Sequence, residues 1–422
     1  MKNLITAVLL ISLISCNTKP EKAILQKEDY NKYLHTDKNL SLAEAQKNKD
    51  FWSKRIGEDS TKITGITKLA PVHNDIFNAT GNVEELYVSE KLIKKALSLA
   101  AKNKDDYLRS LAHNYISQHR FKEAKTLLDT AYTYNDNKYA TELMLFDISM
   151  ELGKYKNAEE YLKKIKDNGN YNYLIRLSKW SDYKGNLDGA INYMEKAVKL
   201  AESSGDKSLK VWSYSNLGDF YGHAGRIDDS YNYYLKTLAL DPDNAYAKKG
   251  LAWIAYSFEK DTEEANRILD SVMVNHKSPD YYLLKAEMAE FNNEKTKAEN
   301  YNEKFLTALS ENDYKGMYNA YLIEYYAENN PEKAVELAKE EVNNRATPET
   351  YSLLALAQLK AGNKEEALKA IEQHVEGKTF EPMAQYYSAL VYKANGQKEK
   401  VKPIKEELSG ASYEMGPVLS KK

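Results

Sequence analysis

Seven histidines, one cysteine and a spread of carboxylates are the residues of this chain that could do chemistry. The histidines are His35, His73, His113, His119, His223, His276 and His374. His113 and His119 stand six apart, whereas two histidines on one helix face hold a metal at an H-x3-H spacing. Glu287 and Glu290 share a helical face, and solvated charge accounts for them without acid–base work. No G-x-S-x-G elbow and no P-loop occurs in the chain. Beyond Cys16 there is no thiol to act as a nucleophile. The expectation is no enzyme, no catalytic residue, no metal and no cofactor.

The elements that carry these side chains follow from a repeat. A small residue recurs at Ala124, Ala158, Ala190, Ser230, Ala265, Ala298, Ala334 and Ala367, and then Val401 stands in its place. The steps are 34, 32, 40, 35, 33, 36, 33 and 34 residues. Such a period is the length of a helix–turn–helix unit that stacks into a solenoid. Five residues before the markers stand Gly153, Gly185, Gly225, Gly362 and Gly396, with Asn293 and Asn329 in two more units. Glycine enters the left-handed region freely and asparagine tolerates it, which suits a helix stop. His119 and Lys260 are the exceptions. Four residues after the marker come Leu128, Leu162, Met194, Tyr234, Leu269, Ala338 and Ile371, on the same face of the second helix. A small marker lets the two helices cross closely.

The unit from Val211 to Asn244 carries Tyr214, Leu217, Gly218, Tyr221, Ser230, Tyr234 and Pro242. It resembles the tetratricopeptide repeat (TPR), whose pattern is W-x2-L-G-x2-Y, then A-x3-F, then P. Leu111, Ala112, Tyr115, Ala124, Leu128 and Ala131 match in an earlier unit, and Tyr351, Leu354, Ala355, Ala367 and Ile371 in a later one. The resemblance implies an all-α solenoid of antiparallel helix pairs in a right-handed superhelix, about nine repeats over 105–408. The polar insert at Ser203-Ser204-Gly205-Asp206-Lys207 accounts for the long step, and Pro403 is expected to interrupt the last helix. In that family the first helix of each pair lines a concave groove. The matching positions are Arg109, His113, Asp147, Asn172, Lys179, Asp182, Tyr183, Trp212, Asp219, His223, Glu287, Glu290, Phe291, Asn319 and Tyr326. One subclass grips C-terminal carboxylates with Lys, Asn and Arg. Here Arg109 and His113 replace the Lys and Asn of the first unit, so that ligand is not supported.

The chain opens MKNLITAVLLISLISCNTKP. Lys2 is a positive n-region and Leu4–Ile14 a largely apolar stretch of signal-peptide length, too short for a membrane span. Leu13-Ile14-Ser15-Cys16 resembles the lipobox of bacterial lipoproteins. That resemblance implies a signal peptide over 1–15 and acylation at Cys16, and more than one acyl chain gives stable anchoring. Asn17 follows, not Asp, which leans towards the outer membrane of a Gram-negative bacterium. With one cysteine no internal disulfide exists, so stacking must supply the stability. Residues 16–40 read as a polar tether, in part helical. Residues 41–104 read as a divergent helical cap opening at a Ser41-Leu42-Ala43-Glu44 capping box, and 409–422 as a loosely held tail.

Sixty Lys plus Arg against 62 Asp plus Glu leave a net charge of −2 without a basic block. Nucleic acid is disfavoured as a partner, since phosphate neutralisation dominates that affinity. Tyr is abundant at 34 against 9 Phe and 4 Trp, and many tyrosines, such as Tyr115, Tyr221 and Tyr234, fall on repeat core positions. The expected function is a lipid-anchored scaffold or assembly factor of the cell envelope that holds a protein partner in its groove. The alternative is a glycan- or small-ligand-binding outer-membrane lipoprotein with an aromatic-lined groove.

Overall fold

Where two helices cross closely only a small residue fits. Ala124, Ala158, Ala190, Ser230, Ala265, Ala298, Ala334 and Ala367 are all buried at such crossings. The computed structural model describes residues 23–34, 39–56, 62–134 and 136–420, and every regular element among them is helical. Four helices lead: α1 (Lys27–Leu34), α2 (Leu40–Ile56), α3 (Ile63–Thr80) and α4 (Glu84–Leu99). Nine helix pairs follow. They are α5 (Lys104–Ser117) with α6 (Phe121–Thr133), α7 (Lys138–Glu151) with α8 (Tyr155–Lys164), and α9 (Tyr171–Tyr183) with α10 (Leu187–Ser204). Next come α11 (Lys207–His223) with α12 (Ile227–Leu240), α13 (Ala245–Trp253) with α14 (Thr262–Asn275), and α15 (Asp280–Phe291) with α16 (Lys295–Glu311). The last three are α17 (Asn319–Asn329) with α18 (Pro331–Asn344), α19 (Pro348–Lys360) with α20 (Lys364–His374), and α21 (Pro382–Ala394) with α22 (Lys398–Leu408). A short helix, α23 (Ser412–Leu419), ends the described chain. The architecture is an all-α superhelix of TPR-type pairs. No described helix is long and apolar enough to cross a membrane.

The turns show why the pattern has exceptions. His119 and Lys260 occupy the left-handed region themselves, at φ 56° and 60°, as Asn293 does at 62°. The backbone demand is thus the same as at the glycines, and the two side chains bear its strain. Asn329 differs: it is the last residue of α17, and Asn330 caps α18 by accepting from the Lys333 amide at 3.2 Å, with Pro331 in the first turn. At the long step, the extra residues extend α10 and α11 instead of making a loop. Gly205 turns at φ 73° and Asp206 caps α11 through the Ser208 and Leu209 amides. Pro403 sits inside α22 without ending it. No α22 residue is fully buried, so water can take the carbonyl that proline leaves unpaired.

Both ends are more ordered than the composition implied. Part of the segment read as a tether is α1, and it docks on α12 and α14. Tyr30 is fully buried there, with Leu25 and Leu34 beside it. The Tyr30 hydroxyl donates to Glu264 at 2.7 Å. The Ser41 capping box is not used: Asn39 accepts from the Leu42 amide at 2.8 Å, while the Ser41 hydroxyl donates to Asp241. At the other end, the residues read as a loose tail include α23, which lies against α11, α15 and α21. The signal-peptide stretch, Cys16 and His35 lie outside the described residues.

The pairs wind back on themselves. Asn344 donates to the His119 carbonyl at 3.2 Å, Arg345 to Glu151 at 3.1 Å, and Lys122 to Asn343 at 3.1 Å. The Lys277 amide donates to the Thr80 carbonyl at 2.7 Å, and the Leu40 amide to Asp243 at 2.6 Å. Side-chain contacts of this kind join residues 194 to 225 positions apart. One superhelical turn therefore takes about six repeats, and the second turn rests on the first. Side chains of both turns then face one another across a shared channel that is partly open to solvent.

Candidate functional site

The channel wall is built from the inward faces of the first helices. Several of the positions expected there are consumed by the fold. Arg109 is only 7% exposed: its guanidinium binds Asp105 at 2.9 Å, Thr141 at 2.9 Å, and Asp106. It joins α5 to α7 and is not offered to a partner, which corrects its place in the groove set. Asn319 donates to Glu341 at 2.9 Å, and the Tyr326 hydroxyl accepts from Lys333 at 2.7 Å. Phe291 packs edge-on against Tyr256. Asp147 accepts from Arg176 at 2.5 Å, and the exposed Asn172 lends its carbonyl to the same guanidinium. Asp219 takes two tyrosine hydroxyls, Tyr234 at 2.6 Å and Tyr246. Glu287 accepts from Tyr256 at 2.9 Å. Glu290 is exposed. His113 reaches solvent, yet burial among neighbouring groups holds its imidazole below the usual value, opposed by Asp147.

The remaining positions converge. Lys179, Asp182, Tyr183 and His223 open on a cavity of about 560 Å³. Tyr183 stacks on Tyr155 with ring centroids 4.1 Å apart. Trp212 stands apart from the cavity with 43% of its surface exposed, edge-on to Tyr171. The opposite wall of the cavity comes from the second superhelical turn: Arg345, Glu349, Phe380, Glu381 and, from the chain end, Glu407 and Glu414. Apart from Glu349, in the first turn of α19, these residues lie outside the first helices, so repeat spacing alone leaves them out. Phe380, an exposed aromatic in the turn before α21, is the one that hydrophobic reading could have flagged.

The electrostatics of the cavity are one-sided. Glu151 binds both Lys179 and Arg345. Among the described residues, Asp182, Glu349 and Glu381 have no Lys or Arg within ion-pair distance, and Glu414 has His223 at 3.8 Å. Burial, reinforced by Glu414, Asp182 and Glu349, pushes Glu381 up to about 7. Burial also raises Asp182 and Glu414. A carboxyl whose folded value is raised takes up protons on folding, so the contribution of Glu381 to stability grows as pH falls from about 7 to 4.5, while the depressed imidazoles of His113, His119 and His276 act in the opposite sense. Thermal melts should show this share as a Tm that climbs over that window relative to the Glu381→Gln variant. Glu381→Gln should flatten the climb and raise Tm at pH 8; an unchanged slope would show that the carboxylates do not face one another.

Chemically the site offers aromatic faces, acceptors and negative charge. Among the described residues no group of three or more His, Cys, Asp or Glu side chains is placed to hold a metal ion. Many tyrosine hydroxyls are spent on structural bonds, such as Tyr214 to Glu202 and Tyr221 to Glu195. They serve packing as amphipathic core residues.

The tetratricopeptide repeat sequence model matches residues 171–204 and 213–244. These are α9 with α10 and most of α11 with α12. No curated protein sequence matches the chain. Among solved structures, PilW, described as a widely conserved type IV pilus biogenesis factor, is 17% identical, covering 51% of this chain and 97% of that one at a TM-score of 0.40. PilF of Pseudomonas aeruginosa is 16% identical, covering 49% and 97% at 0.37. A human IFIT1 dimer with m7Gppp-AAAA is 15% identical, covering 78% and 76% at 0.48. The chain thus contains tetratricopeptide repeats, two of them recognisable by sequence and the others by the same helix pair in the fold.

Proposed function

We propose that this chain is a membrane-anchored interaction scaffold or assembly factor of the bacterial cell envelope, tethered through an acylated Cys16 and holding a protein partner in its repeat channel. The observation that carries the binding role is the channel itself: TPR-type pairs present aromatic and charged side chains inwards, around a cavity of about 560 Å³. Preformed concave surfaces with aromatic anchors bind at low ordering cost. The anchor is read from the Leu13-Ile14-Ser15-Cys16 sequence, and the outer-membrane reading from Asn17 in place of Asp after it.

Two measurements test the two halves. A photo-crosslinking residue at Trp212, with Cys16 kept, should yield one dominant protein adduct in intact cells. Diffuse or absent protein adducts would contradict the scaffold role. Cys16→Ser should move the chain from the membrane pellet to the soluble fraction, and an unchanged distribution would contradict the anchor.

A further inference from the structure

The chain end is seated in the channel as a ligand would be. Tyr413 enters a pocket cleared for it by Gly222, where a Cβ would stand 2.9 Å from the tyrosine Cε1. Trp253 walls the pocket edge-on. The Tyr413 carbonyl accepts from the Trp253 indole at 3.2 Å and from the Ser257 hydroxyl. Both donors flank or belong to a π-helical turn, Ile254–Phe258, that continues α13. Such turns are uncommon and concentrate at functional sites. Three residues on, Gly416 adopts φ 76° where a Cβ would come within 2.6 Å of Glu287 Oε1 and 3.0 Å of Trp253. Side-chain donors that hold a main-chain carbonyl, an aromatic pocket and a glycine slot together make a peptide-reading site.

One residue of the occupant suits it badly. Glu414 puts a carboxylate into the cavity that already holds Asp182, Glu349, Glu381 and Glu407, with His223 as its neighbouring base. Lys179 and Arg345 face the same space but are bound to Glu151. A cation at that position would meet attraction where Glu414 meets repulsion.

We propose that residues 412–419 are an exchangeable internal ligand, and that the site they fill takes from a partner protein a segment of the form aromatic–basic–any–glycine. The proposal rests on the reading of the channel as a protein-binding surface. The chain's own end then occupies the site with poor charge, and a partner with the better charge displaces it.

The test uses the full-length chain, its Tyr413→Ala variant, and fluorescent peptides of residues 409–420 with and without Glu414→Lys, followed by anisotropy. The Tyr413→Ala chain should bind the Glu414→Lys peptide about tenfold more tightly than the unaltered one, the size expected of a single charge reversal in a partly screened site. The wild-type chain should bind both more weakly, because its own end competes. Adding Gly222→Val should remove binding. Equal affinities for the two peptides, or no binding by a Tyr413→Ala chain whose residues 412–419 exchange freely with deuterium, would overturn the proposal. If Tyr413→Ala does not fold, a chain ending at Leu408 replaces it with the same expectations. A protein adduct at Trp212 together with no peptide binding would reject this inference alone; absence of both would reject the scaffold role as well.

Discussion

Tyr30→Ala should destabilise the protein by about 3–5 kcal/mol, the cost of deleting a fully buried aromatic side chain. Tyr30 sits between α1 and the α12–α14 region, completely removed from solvent. Its hydroxyl reaches Glu264, which also binds Arg267 at 2.6 Å and Lys27 at 2.8 Å. Burial alone would raise the Glu264 carboxyl, but hydrogen bonds from Arg267, Lys27 and Tyr30 overcome it and hold the value at about 2. Removing Tyr30 therefore opens a cavity and takes one donor from a buried carboxylate. Tyr30→Phe separates the two effects, losing only the hydrogen bond at about 1 kcal/mol. The pH dependence has a fixed sign. A carboxyl held below its ordinary 4.5 stabilises the fold above that value, and the contribution disappears as pH falls towards 2. Tyr30→Phe should narrow that window from below. Urea denaturation gives the stabilities, and hydrogen exchange across α12 and α14 should accelerate in Tyr30→Ala. A loss under about 1 kcal/mol, within the range of a surface change, would mean that α1 is not docked.

Gly153→Ala should cost far more than Gly362→Ala, although both glycines close the same turn of their repeats. Both have positive φ, 68° and 85°. An alanine at either site bears the left-handed penalty of about 1–2 kcal/mol. At Gly362 nothing lies within 4 Å of the added Cβ, so the penalty ends there. At Gly153 the Cβ would stand 2.3 Å from the Ala346 carbonyl oxygen and 3.0 Å from its carbon. Ala346 belongs to the next superhelical turn, beside Arg345, which binds Glu151. Neither backbone can yield as a flexible side chain would, so overpacking adds about 1–3 kcal/mol. The difference between the two variants, read by thermal melts, isolates the contact between turns. Equal losses would mean that the turns do not touch.

These contacts mark the limit of what the amino-acid order discloses. Repeat markers, helix stops and second-helix apolar positions are local statements, because helix periodicity and turn conformation are set within a few residues. Ala124 and its counterparts show this, and so do the five turn glycines. His119 and Lys260 were legible as turn positions though not as left-handed residues, since neither type favours that region. Long-range packing was not legible. Residues 16–40 are polar and charged, and it is the distant core around α12 and α14, with Tyr231 and Glu264 more than two hundred positions away, that turns Tyr30 into a core residue. Arg109 looked like a groove residue because its repeat position faces inward, and Asp105 one turn earlier on α5 claims it instead. The far wall of the cavity, Phe380 and Glu381 with Glu414, depends on how many repeats complete one superhelical turn. That number comes from small rotations summed along the stack, which no single repeat displays.

The most direct test of the closed coil is a distance between its two turns. Spin labels at Lys122→Cys and Asn343→Cys, in a Cys16→Ser background that removes the native thiol, sit on exposed side chains that touch at 3.1 Å in the unlabelled protein. Pulsed dipolar spectroscopy should give one narrow peak at the short end of its range, and opening should not occur on removal of residues 409–422. A broad distribution at long distance would show an open solenoid, and with it neither a cavity walled by both turns nor a chain end seated beside it.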